Sequence, residues 1–181
     1  MLKQLLCKDL ARQYALEGEA EKQAGVAGIL RRLFHPRFLP IVLCRASRSC
    51  MQTGIPLLPR LLSGLNLVLF GIEVTPSCEI GPGIFFPHTV GTVIGARRLG
   101  SNVTVFQGVT LGARELDMHF DPGKRPDVGD NVTLGSGCKV LGAIRIGNNA
   151  SVGANTVVVH SIEANAKVIL SQNIVIPQEN R

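Results

Sequence analysis

The residues with the clearest capacity for chemistry gather around one histidine. His88 sits in the stretch GIFFPHTVG, between the bulky Phe85 and Phe86 and the glycine Gly91. Imidazole exchanges a proton near neutrality, so a histidine held there can act as a general base. Glu73 precedes it by fifteen residues and could orient the far ring nitrogen if the chain returns on itself. A second group lies in RELDMHFDPGKR, where Glu115, Asp117 and His119 offer hydrogen bonds to an acceptor, and Lys124 and Arg125 offer positive charge to an anionic group. His35, which precedes a proline, and His160 suggest no role of this kind. No pair of histidines or cysteines has ligand spacing, so no metal is expected.

The elements that must position these residues show in the spacing of the aliphatic side chains. Val128, Leu134, Val140, Ile146, Val152 and Val158 recur six apart, and Gly129, Gly135, Gly147 and Gly153 follow four of them. A second series runs Val93, Leu99, Val105 and Leu111, preceded by Val74, Ile80 and Phe86 with one residue inserted before Val93. A fixed period of six predicts a short strand, a corner and a repeat, three hexapeptides closing one triangular coil. The fold expected is a left-handed parallel β-helix over 72–169. Residues 113–126 break the register with polar and charged side chains and so leave the prism as a loop. Flat faces predict packing about a three-fold axis, as a trimer or a dimer of trimers.

Residues 1–71 read as an α-helical preface of three helices, over 3–23, 36–54 and 56–70, with Gly54 and Pro56 breaking the last two apart. Residues 170–181 form a tail. The five cysteines (Cys7, Cys44, Cys50, Cys78, Cys138) are odd in number and lack a CxxC pair. Together with the lack of a charged-then-apolar leader pattern, they predict a reducing, cytoplasmic setting. The net charge of +6 is scattered, and no aromatic stacking motif accompanies it, which argues against nucleic acid. Arg45, Arg48, Arg60, Ser63 and Asn66 interrupt the most apolar region, so no span is expected, although residues 37–71 are apolar enough to rest on a membrane surface.

The stretches GIEVTPSCEIGPGIFFPHTVGTVIG, VTVFQGVTLGA and VGDNVTLGSGCKVLGAIRIGNNASVGANTVV resemble the serine acetyltransferase family of hexapeptide acyltransferases. The resemblance covers roughly residues 36–160 and implies transfer of acetyl from acetyl-CoA to a hydroxyl. It implies that His88 is the base and Glu73 its acidic partner, and that CoA lies in a groove along the later coils near Gly112, Ser136, Gly137 and Gly142, with Lys139 or Lys167 near its phosphates. Two departures stand out. The family carries an aspartate before the base where this chain has Pro87, and Arg-His-Pro where this chain has Lys124, Arg125 and Pro126. These changes, with the polar loop, resemble the branch of the family found in polysaccharide biosynthesis. The expected acceptor is therefore a sugar hydroxyl. Serine O-acetylation for cysteine synthesis is the alternative, and a non-catalytic binding or assembly prism is the second.

Overall fold

The computed structural model describes residues 1–170, so the expected tail lies outside the described residues except for Leu170. Four helices come first: α1 (Leu2–Leu16), α2 (Val26–Arg32), α3 (Leu39–Gln52) and α4 (Leu58–Phe70). The first expected helix is too long. It stops where Gly18 turns left-handed (φ +77°) and the Glu19 N–H returns to the Tyr14 carbonyl at 2.8 Å. The short α2 was not expected at all. Gly71, at φ +64°, ends α4 and hands the chain to the first strand.

Strands follow in the order β1 (Ile72–Val74), β2 (Glu79–Ile80), β3 (Thr92–Ile94), β4 (Arg98–Leu99), β5 (Thr104–Val105), β6 (Thr110–Gly112), β7 (Asp127–Val128), β8 (Thr133–Leu134), β9 (Lys139–Leu141), β10 (Arg145–Ile146), β11 (Ser151–Val152), β12 (Val157–Val158) and β13 (Lys167–Val168). They stack in parallel into three sheets. A first face is ordered β1-β3-β6-β9-β12, a second β2-β4-β7-β10 and a third β5-β8-β11-β13. This is a left-handed parallel β-helix with helices before it. The strands send aliphatic residues inward, and Leu99, Val105, Leu111, Leu134, Val140 and Ile146 are wholly buried in one continuous core.

The register departs from expectation near His88. Val93 points outward and is 37% exposed, whereas Ile94 is the buried residue, 1% exposed and stacked between Val74 and Leu111. The insertion before β3 is therefore two residues, and a short corner from Ile94 to Leu99 restores the phase.

Three edges join the faces, each with its own chemistry. Between the second and third faces, Asn102, Asn131, Asn149 and Asn165 all adopt φ between +56° and +63°. Their side-chain amides bond in sequence at 3.1, 3.1 and 3.0 Å. Asparagine tolerates this backbone and satisfies its neighbour. The edge between third and first faces carries His88, and the edge between first and second carries the 113–126 loop.

The preface seals the first coil. Asp9 and Arg45 are 0% and 4% exposed. The Asp9 carboxylate accepts from Gly83 N–H at 2.7 Å and Ile84 N–H at 3.1 Å. Arg45 donates to the Gly81 carbonyl at 2.6 Å and to that of Ile80, while Arg12 donates to the Gly83 carbonyl. These bonds occupy backbone groups that an uncapped solenoid end would leave open.

Candidate functional site

His88 is exposed at the head of its edge, and the chain on either side of it is fixed. Phe86 is wholly buried beneath it. The Thr89 hydroxyl donates to the Phe70 carbonyl at 2.7 Å, and the Gly91 N–H donates to the Gly71 carbonyl at 2.9 Å. The histidine turn is thus pinned to the α4–β1 junction, two residues before Glu73. A cleft of about 480 Å³ opens there, lined by His88, Pro87, Val90, Phe70, Leu69 and Arg37 among others. Glu73 projects outward from the middle of β1. Both side chains are exposed, and among the described residues no hydrogen bond joins them within one chain.

Below His88 the edge turns on a column of glycines. Gly91, Gly108 and Gly137 take φ of +75°, +71° and +71°. Gly108 N–H bonds the Val90 carbonyl at 3.1 Å, and Gly137 N–H that of Gln107 at 2.8 Å. A Cβ on Gly137 would lie 2.2 Å from the Asn155 Oδ1. Parallel strands stack about 4.8 Å apart, so Ser136 and Gly137 lie roughly 10 Å down the edge from His88. A thin, extended ligand could lie along such a cradle.

The expected cofactor residues do not all converge on it. Ser136 and Gly137 lie on the histidine edge. Lys139 begins the next strand, but its Nζ donates to the Gly108 carbonyl at 2.6 Å and is committed to the backbone. Gly112 and Gly142 occupy the opposite edge of the first face, where Gly142 N–H bonds the Gly112 carbonyl at 2.9 Å and Arg114 lies over Gly142. Lys167 is exposed on the third face. Gln107 was not anticipated. It turns the histidine edge one coil below His88, and among the described residues its Oε1 is buried without a partner; a polar residue wedged into the Phe106–Gly108 corner was the available signal.

The loop residues likewise divide. Asp117 and Arg125 bind each other at 2.8 Å, and the guanidinium stacks 4.4 Å over the Phe120 ring. Burial alone would raise the Asp117 carboxyl, but hydrogen bonds from Arg125 and from the Asp121 and His119 amides hold it below the usual carboxylate range. Glu115, His119 and Lys124 are exposed. His119 borders a groove of about 650 Å³ against Ile55, Leu57, Arg60 and Thr75, far from His88 of the same chain because the first face separates the two edges. Among the described residues no group of three His, Cys, Asp or Glu could hold a metal, and no helix is long and apolar enough to cross a membrane.

Residues 125–160 match the family model described as bacterial transferase hexapeptide (six repeats). A serine acetyltransferase of Synechococcus elongatus is 37% identical over 164 residues, covering 90% of this chain and 65% of that protein. A solved Neisseria gonorrhoeae serine acetyltransferase in complex with serine superposes with a TM-score of 0.77 at 26% identity, covering 99% of this chain and 68% of that one. A solved serine acetyltransferase in complex with CoA gives 0.77 at 25% identity, with coverages of 93% and 66%. The chain spans less than two thirds of its sequence relatives' lengths, 65% of the cyanobacterial protein and 56% of a Staphylococcus xylosus serine acetyltransferase. These likenesses overturn the expectation of a sugar acceptor, since relatives up to 43% identical are serine acetyltransferases. The polar loop that suggested a sugar spends its Asp117 on Arg125.

Proposed function

We propose that this serine acetyltransferase-like hexapeptide protein transfers the acetyl group of acetyl-CoA to the hydroxyl of serine. The observation that carries the reading is His88, exposed and pinned at the head of a glycine edge that can cradle a thin thioester. In that reaction the serine oxygen attacks the thioester carbonyl as His88 removes its proton. The tetrahedral intermediate then expels the CoA thiolate, and the imidazolium returns the proton to sulfur. Glu73 would orient the ring and stabilise its cationic form. The N–H groups of Gly91, Gly108 and Gly137 are already bonded to carbonyls, so the donor to the developing oxyanion has to come from elsewhere in the assembled site.

Acceptor binding needs a second copy of the chain. His88 and the 113–126 loop occupy opposite edges of the first face, whose outward Val93 and Val157 are 37% and 60% exposed, beside an α4 that exposes Leu61, Leu65 and Val68. Packing first faces about a three-fold axis would bring the loop of one chain to the His88 of the next and bury those residues. A reducing, cytoplasmic setting suits the five unpaired cysteines.

The test is release of free CoA from acetyl-CoA, followed with a thiol reagent, by purified protein given serine. Serine-dependent release that His88→Ala abolishes is expected. Absence of release with serine would refute the reading.

A further inference from the structure

We propose that Arg125 positions the loop rather than binding the acceptor, acting as a brace that leaves Lys124 as the adjacent cation open to an acceptor carboxylate. The Lys124 half of this rests on the serine reading above. Of the five N–H donors of a guanidinium, four are spent inside the chain. Nε and Nη2 donate to Asp117 Oδ2 at 3.1 and 2.8 Å, Nη2 also to the Asp117 carbonyl at 3.2 Å, and Nη1 to the Gly95 carbonyl at 3.0 Å. The Arg125 side chain is 12% exposed and that of Asp117 6%, so an approaching anion meets a neutralised pair.

The brace closes on both sides. The same Asp117 carboxylate takes the Asp121 N–H at 2.8 Å and the His119 N–H at 3.3 Å, holding the tip that carries His119. Phe120, at φ +54°, lies beneath the guanidinium and is kept in that uncommon conformation by the stack. Asp121 caps the 3₁₀ turn Pro122–Lys124 through the Gly123 N–H at 2.8 Å, which sets Lys124 at the turn's exposed end. Gly95 completes the socket, since a Cβ there would come within 2.6 Å of Arg125 Nη1. The loop is thereby tied to the second coil of its own chain, and its presentation to a neighbouring copy is fixed in advance.

The experiment compares Arg125→Lys, Asp117→Asn and Lys124→Ala. One readout is the initial rate of thermolysin cleavage at Leu116–Phe120, followed by mass spectrometry; the other is steady-state kinetics with serine and acetyl-CoA. Arg125→Lys and Asp117→Asn should be cut at least tenfold faster than the parent and show a raised KM for serine. Lys124→Ala should raise the KM for serine about tenfold, leaving cleavage and the KM for acetyl-CoA at parent values. A raised KM in Arg125→Lys with unchanged cleavage would make Arg125 a direct ligand and overturn the proposal. If the parent shows no turnover with serine, the serine reading fails, while cleavage still decides the brace.

Discussion

Asp9 and Arg45, thirty-six residues apart, meet in a two-point ion pair with both contacts at 2.9 Å. The pair lies at the junction of α1, α3 and the first coil, and it serves strand-end amides and carbonyls as well as itself. Arg45→Ala leaves a buried carboxylate uncompensated and should cost about 3–5 kcal/mol in urea unfolding. Replacing both by Leu and Met should recover less than half, because Gly83 and Ile84 N–H groups still lose their acceptor. A larger recovery would show that the pair's bonds to the coil contribute little.

Removal of the base is predicted to act on rate alone. His88→Ala should lower serine-dependent CoA release by about 10²–10⁴-fold and leave the melting temperature unchanged, since the side chain is exposed. Refolding His88→Ala chains together with chains lacking 115–123 should restore turnover that neither shows alone, if the loop serves a neighbour's histidine. Turnover no greater than the sum of the two would place both functions within one chain.

The glycine edge can be probed by adding single methyl groups. Gly137→Ala meets both a left-handed backbone and the Asn155 side chain, and should cost about 1–2 kcal/mol, or roughly 3–6 °C in melting temperature. Gly112→Ala, with nothing within 4 Å of the added carbon, should be neutral. Equal effects would mean that the edge is more plastic than its geometry implies.

Thiol labelling separates the cysteines. Burial pushes the Cys44 and Cys78 thiols up to about 12 and Cys138 to about 11. At pH 8 roughly one Cys138 thiol in a thousand is ionised, and fewer at the other two. Maleimide on the native protein should therefore modify Cys7 and Cys50, which are partly accessible, well before these three. Early modification of Cys138 would indicate that the core opens.

The loop brace has a defined pH window. The Asp117 pKa is lower folded than unfolded, so the brace contributes fully above the unfolded value, about 3.9, and is lost as pH falls through the folded one. With His119→Gln to remove the imidazole, the amide chemical shifts at positions 119 and 121 should stay flat from pH 8 to 5 and move only in more acidic solution. A transition near neutrality would assign their environment to another group.

Much of the scaffold was legible because its signal is a period. From Val128 to Val158 the expected inward residues are all buried. The phase error at Val93 arose where two β-branched residues adjoin, so either could face inward, and the pinned histidine turn decided for Ile94. Helix α2 was missed because seven residues cannot display an amphipathic period, and its N-cap is a glycine without a side-chain bond. The division of the site was less accessible. Asp117 and Arg125 were read as available polar groups, and only their meeting in space showed that they occupy each other. The acceptor was misread for the same reason, since loop composition does not tell which polar groups remain free.

The asparagine edge gives the molecule a graduated length. Each coil adds the same corner and the same amide contact, so positions along the glycine edge are measured from His88 in equal steps of about 4.8 Å. The protein is in this sense a ruler: the reach from base to the far end of a bound ligand can change only by whole coils. A shift by any fraction of one would put the asparagines, the glycines and the inward aliphatics out of phase together.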